Sequence, residues 1–231
     1  EKKHILEQIN IESIDLKDTD SVELSDLESK SNLKSLARPL VIGICGSASS
    51  GKSYIATHIK DYFAKSNIST TILKERDFLL PLDIKDESLR QQTIKNYDFD
   101  HIDAVDWKLF HKAIDHLILK KPFNSPIFDI FNSQRLLITK KLEPADLIII
   151  EGRLFLNDNY LKSISTMKLF LDTDMDVILS RIVFKATAKH ADLDETINKY
   201  IKFIKPNYEK FIEKSKQYAD FVIPNFAGTN F

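Results

Sequence analysis

The sequence predicts an α/β fold in which a central parallel sheet is flanked by helices. Three observations predict it. Short apolar runs alternate with amphipathic segments along most of the chain. One run, residues 147–152 (LIIIEG), is apolar up to its closing Glu-Gly, as a strand buried on both faces should be. A glycine-bearing turn from Gly46 to Ser53 separates an apolar run from a helical pattern.

The elements follow in order. An apolar run begins at Leu40 and reads as the first strand of the sheet, and residues 53–65 read as a helix. Residues 70–74 form a strand, and residues 104–120 a helix in which Val105, Leu109, Ala113 and Leu117 share one face. Asp103 is placed to cap that helix. Residues 126–130 and 136–139 read as two short strands, and residues 147–150 and 168–171 as two more. A helix spans residues 175–189, and a longer helical stretch after Leu193 should kink or break at Pro206. Residues 221–223 make a last strand. There is no internal repeat.

Four of the five glycines, Gly43, Gly46, Gly51 and Gly152, fall in the two stretches that carry chemistry. Gly46-Ser-Ala-Ser-Ser-Gly51-Lys52-Ser53 satisfies GxxxxGK[ST], the phosphate-binding loop. Glycine lets the backbone curl so that successive N–H groups face an anion, and the helix that follows adds its positive end. The pattern assigns ATP binding to Gly46, Ser47, Ser49, Ser50, Gly51, Lys52, Ser53 and Tyr54. Lys52 would neutralise the β- and γ-phosphates, and the Ser53 hydroxyl would be a ligand for Mg²⁺. Glu151, emerging at the carboxyl end of its strand, falls where ligands bind in open α/β sheets and is the second candidate for holding the metal. The lone Cys45 reads as a small buried hydrophobe.

Composition narrows the class. The 231 residues are 43% hydrophobic, enough for one sizeable core. Residues 1–30 hold nine Asp/Glu against four Lys, a net of −5 within a total of −1, so the remainder is mildly basic. That suits a small anionic ligand and falls short of a nucleic-acid polymer footprint. Residues 1–38 read as an acidic extension or linker and residues 39–231 as the catalytic-type domain. With no membrane span or signal peptide visible and a single cysteine, the expected compartment is cytoplasmic. The guanine-reading NKxD element of GTPases is absent.

Across about residues 40–225 the sequence resembles the uridine/cytidine kinases, within the uridine kinase and phosphoribulokinase group. The strings that carry the resemblance are GICGSASSGKS, FDHIDAVD, PIFDIFNSQR, IIIEG, MKLFLDTDMDVILSR, YIKFIKPNYEKF and YADFVIP. The resemblance implies a P-loop nucleoside kinase fold with a small β-hairpin beside the nucleoside and a helical lid over ATP. It implies transfer of the ATP γ-phosphoryl group to the 5′-hydroxyl of uridine or cytidine, in pyrimidine salvage, with Mg²⁺. It places Phe99 and Asp100 at the nucleoside, Asp100 on the ribose hydroxyls, Phe128 and Arg135 at the hairpin, and Arg181 and Lys185 on the lid over ATP. It also implies a homo-oligomer or a fused second domain, and a further helix beyond the last strand.

Several positions depart from the family pattern, Phe128 and Lys199 among them, and three bear on activity. The aspartate that accepts the hydroxyl proton falls on Arg76, leaving the adjacent Asp77 as the candidate catalytic carboxylate beside Lys52. Ser133 stands where a histidine approaches the base, and Ile182 where the lid is charged. Two readings follow: an active uridine/cytidine kinase, or a weakly active or inactive ATP-binding module that serves a partner domain or subunit.

Overall fold

The computed structural model of the protein describes residues 15–16, 38–129 and 132–225. Its sheet has the strand order β1-β10-β9-β2-β8-β3. Here β1 is Asp15–Leu16, β2 Leu40–Gly46, β3 Thr70–Lys74, β8 Leu147–Glu151, β9 Met167–Asp172 and β10 Phe221–Pro224. Five strands run parallel, and β1, two residues long, pairs antiparallel with β10 at the edge. The rest of the acidic extension up to residue 37 lies outside the described residues.

Central position and composition agree. In β2, Val41 and Cys45 face one apolar cluster while Ile42 and Ile44 face the other, and in β8 Ile148 and Ile150 oppose Leu147 and Ile149. This two-residue alternation explains why an uninterrupted apolar run is required: both faces are covered. Helix α1 (Lys52–Ala64) covers one face through Ile55, Ala56 and Ile59. Helix α3 (Trp107–Ile118) helps to cover the other through Phe110, Ala113, Ile114 and Leu117, each completely buried. Burying one such aliphatic or aromatic side chain contributes about 1.5–3 kcal/mol, so these two stripes fix both helices against the sheet.

Several expectations need correction. The helix expected from residue 104 begins at Trp107, because Asp106 rather than Asp103 accepts the N–H of Leu109 as its cap, at 3.0 Å. Its buried face is centred on Phe110 and Ile114, so Val105 joins the core ahead of the helix. The strand expected at residues 136–139 does not form. Instead β4 (Phe123–Ser125) pairs with β7 (Lys140–Leu142), and within them β5 (Phe128–Asp129) pairs with β6 (Gln134–Arg135). The apolar run Leu136–Leu137–Ile138 is solvent-exposed between the two ladders, so its hydrophobicity does not report a buried strand.

Three helices complete the frame on the way to the lid: α2 (Glu87–Asn96), α4 (Asn159–Ile164) and α5 (Met175–Ala188). Neither α2 nor α4 was evident from the pattern. Helix α6 (Leu193–Lys199) then continues as helical backbone to Tyr218. Pro206 does not end this run. Wide π-type turns at Tyr200–Ile204 and Tyr208–Ile212 bracket it, a local widening that accommodates a residue with no N–H to donate. Asn207 ties the run to the sheet side by donating through Nδ2 to both carboxylate oxygens of Asp98.

Candidate active site

β2 sits between β8 and β9, whereas the chain leaves β2 through α1 to reach β3 beyond β8. The connections therefore diverge around the end of β2, where a crevice opens beyond the carboxyl ends of the strands. Gly46 through Gly51 turn there. Gly51 has φ +100°, a left-handed conformation that glycine adopts without strain, and it caps α1 with no side-chain acceptor. The first-turn amides of α1 are thus free of side-chain caps and available to an anion.

The loop is held from outside. Arg181 donates to the Ser49 carbonyl at 3.4 Å and to Asn225 Oδ1 at 3.0 Å, while Asn225 donates to the Ser50 carbonyl at 2.6 Å. Lys185 Nζ lies 3.2 Å from Ser49 Oγ. Both lid cations expected at the phosphates therefore reach the loop itself. Ser47 is buried, with Oγ 4.0 Å from Met175 Sδ, and the Ser50 hydroxyl is buried without a partner. Tyr54 is exposed and bonds His58 through its hydroxyl.

Lys52 folds back onto its own loop, donating to the carbonyls of Gly46 at 2.9 Å and Ser47 at 2.6 Å. Partial burial of its ammonium pulls its pKa down to about 8. Ser53 Oγ donates to Glu151 Oε1 at 3.0 Å. Glu151 is 5% exposed, and its second oxygen, Oε2, has no hydrogen-bond partner. A buried carboxylate oxygen without a partner, next to a serine hydroxyl, fits a hard divalent cation, so Ser53 and Glu151 are the residues that would hold Mg²⁺.

A cavity of about 530 Å³ runs from this loop to Phe99 and Asp100. The far end is organised by Arg153 and Glu75, which sequence reasoning missed. Arg153 pairs with Asp100 and donates to the Phe99 carbonyl at 3.0 Å. Glu75 is 1% exposed and accepts the backbone N–H groups of Arg153 at 3.1 Å and Leu154 at 2.9 Å. Burial pushes the Glu75 carboxyl above its ordinary value, opposed first by Arg153. The signal available in the sequence was Arg153 itself, a charged residue between a buried strand and the apolar Leu154–Phe155–Leu156.

Other expected residues lie at or behind the cavity wall. Phe99 and Asp100 line it, as does Arg76. Phe128 is buried behind Phe99, with ring centroids 6.0 Å apart, and Arg135 is held 2.9 Å from Asp106. Among the residues lining the cavity neither Phe128 nor Arg135 nor Asp77 appears. Strand β3 ends at Lys74, so Asp77 sits in a tight helical turn, 3.8 Å from Arg76. Burial raises the Asp77 carboxyl above its ordinary value, offset in part by Arg76, Lys74 and Lys140. Cys45 donates to the Arg153 carbonyl, and burial pushes its thiol up to about 11, which leaves it unreactive.

A second hollow of similar volume lies between α2 and α6, lined by Lys95, Asp192, Glu195 and Lys199. Its charges satisfy one another through Lys95–Glu195 and Lys199–Glu195 pairs, and it contains none of the phosphate-loop residues.

Comparison with known proteins agrees with this geometry. The sequence pattern described as "Phosphoribulokinase / Uridine kinase family" matches residues 41–230. A protein named uridine kinase from Streptococcus pneumoniae is 35% identical over 190 residues, which cover 81% of this chain and 86% of that protein. Uridine kinase-like protein 5 of Arabidopsis thaliana is 32% identical over 202 residues, covering 87% of this chain, and the match spans only 42% of its length. The solved structure of phosphoribulokinase from Rhodobacter spheroides superposes with a TM-score of 0.60 at 10% identity, covering 83% of this chain and 72% of that one, a likeness of fold alone.

Proposed function

The chain belongs to the phosphoribulokinase/uridine kinase family, and from that premise we propose that it transfers the γ-phosphoryl group of ATP to the 5′-hydroxyl of a pyrimidine ribonucleoside. The observation that carries the reading is the meeting of Lys52, Ser53 and Glu151 at one end of a cavity whose other end presents Phe99 and Asp100.

Phosphoryl transfer of this kind passes through a loose transition state, so positioning and charge neutralisation supply most of the acceleration. The amides of α1 hold the phosphates, and Lys52 turns from the Gly46 and Ser47 carbonyls to their oxygens. When bound, Mg²⁺ on Ser53 and Glu151 supplies neutralising charge at the transferring group. Asp100 accepts hydrogen bonds from vicinal ribose hydroxyls while its pairing with Arg153 keeps it aimed. Phe99 packs against the nucleoside. Asp77, raised in pKa by burial, is the proposed proton acceptor after a side-chain rotation toward the cavity. The cytoplasm, as the compartment where ATP and nucleosides meet, belongs to the same proposal. Among the described residues no helix is long and apolar enough to cross a membrane.

The test is purified protein with ATP, Mg²⁺ and a panel of ribonucleosides, scored for nucleoside 5′-monophosphate, beside calorimetry for ATP alone. Uridine or cytidine monophosphate formed by the wild type and lost in Lys52→Ala supports the reading, and ATP binding without product on any nucleoside overturns it. One observation favours a second reading, an ATP-binding module with little turnover: in the turn after β3, Arg76 rather than Asp77 lines the cavity. Under that reading Arg76→Asp restores activity to an otherwise silent protein.

A further inference from the structure

Lys74 closes β3, and in the register of the two parallel strands it stands opposite Glu151 at the end of β8. Its Nζ is 3.3 Å from Glu151 Oε1, the same oxygen that accepts the Ser53 hydroxyl. The carboxylate side chain is 5% exposed and the lysine 30%, so water screens the pair from one side only. Lys74 also lines the cavity.

These contacts set two cations against each other. Ser53 and Glu151 are the side chains that fit a divalent ion, and the Lys74 ammonium already holds one of the two carboxylate oxygens. A positive charge brought to the carboxylate must displace the ammonium or sit beside it in a poorly screened setting, and either costs free energy. Lys74 is anchored on a central sheet, so its effective concentration at Glu151 is fixed by the strand register and not by diffusion. Glu151 Oε2, buried and without a partner, shows that the lysine leaves the carboxylate only half satisfied. The arrangement is a site kept neutral in waiting, and still able to accept a stronger cation.

We propose that Lys74 is a tethered counter-ion for Glu151 that competes with the divalent cation and so sets how strongly metal and nucleotide binding are coupled. The inference rests on reading this cavity as a nucleotide–metal site. It makes Lys74 a positioning residue that acts through Glu151.

The test is thermodynamic linkage, without turnover. A fluorescent, non-hydrolysable ATP analogue is titrated into the full chain at saturating Mg²⁺ and again in excess EDTA, and the ratio of the two dissociation constants is compared between variants. Lys74→Met should raise the ratio, metal-free over metal-bound, roughly three- to tenfold. In a Glu151→Gln background the same substitution should leave it unchanged, and Lys74→Arg should stay near the wild type. Lys74→Gln repeats the measurement should the Met variant prove unfolded by circular dichroism. An unchanged or smaller ratio in Lys74→Met, with wild-type binding intact, overturns this inference and leaves the kinase reading standing. A wild type that binds no analogue under either condition sinks both together.

Discussion

Arg153 is ion-paired with Asp100, 53 positions away in sequence, and each side chain is no more than 17% exposed. The carboxylate expected at the acceptor is thus oriented before any acceptor arrives. The same arginine lies 3.9 Å from Glu75, so one cation serves two buried acids. Removing it leaves both uncompensated. Arg153→Met should cost about 3 kcal/mol, roughly 6–12 °C of melting temperature in a domain of this size, read by thermal circular dichroism. Asp100→Asn should be milder for stability and raise the KM for nucleoside more than it lowers kcat.

Lys52→Ala removes the loop cation proposed to neutralise the β- and γ-phosphates. It should lower kcat/KM by about 10²- to 10³-fold, as removal of a single strong electrostatic contact typically does, and weaken ATP binding in calorimetry. Melting temperature should stay within about 2 °C of the wild type, because losing the bonds to the Gly46 and Ser47 carbonyls is offset by removing a desolvated ammonium.

The Lys52 ammonium also gives a dependence on pH. Its pKa is depressed to about 8 in the folded protein from 10.5. The folded state therefore binds fewer protons than the unfolded one between those values, and stability should rise with pH from about 8 to 10.5, the penalty being fully present below 8. Because part of the side chain meets solvent at the cavity wall, the rise is smaller than for a sequestered amine. A bound triphosphate favours the charged form, so ATP binding near pH 8 should take up protons, and its affinity should fall as pH rises through 8 to 9. Calorimetry in two buffers of different ionisation enthalpy measures the uptake. No uptake at pH 8 would sink the assignment of that pKa.

Gly152→Ala tests the packing behind Glu151, the proposed metal carboxylate. A Cβ at Gly152 would lie 2.2 Å from Glu75 Oε2 and 2.9 Å from Glu75 Cβ. Glu75 is buried and held by two backbone N–H groups, so it cannot swing aside freely. The substitution should destabilise by about 1–3 kcal/mol. Because residue 152 directly follows Glu151, it should also weaken the Mg²⁺ dependence of ATP binding, read in the same titration with and without metal.

The sheet was legible because burial on both faces leaves an unbroken apolar signature, as in Leu147–Ile150, and the phosphate loop because its chemistry demands fixed residue types at fixed spacing. Ser53 and Glu151 meet because they follow or close the carboxyl ends of the neighbouring parallel strands β2 and β8. What escaped was non-local or weakly patterned. The pairing of Arg153 with Asp100 leaves no periodic trace in either neighbourhood. Helix α2 is mostly polar and exposed, with Ile94 its one buried residue, so no apolar stripe announces it, although Asp86 caps it by accepting the N–H of Leu89. The Leu136–Ile138 run misled for the opposite reason, being apolar and exposed. Asp77 was singled out by its neighbourhood in sequence, and the turn after β3 sends Arg76 to the cavity in its place.

The bond from Asn225 to the Ser50 carbonyl spans 175 positions. During synthesis the phosphate-loop turn is made first, and the side chain that secures it follows 175 positions later. Until β10 has zipped onto β9, that turn lacks its brace, and a nascent chain is poorly equipped to grip a triphosphate. Competence of that turn is therefore conferred by a strand made much later, which makes nucleotide capture a report that the sheet has closed.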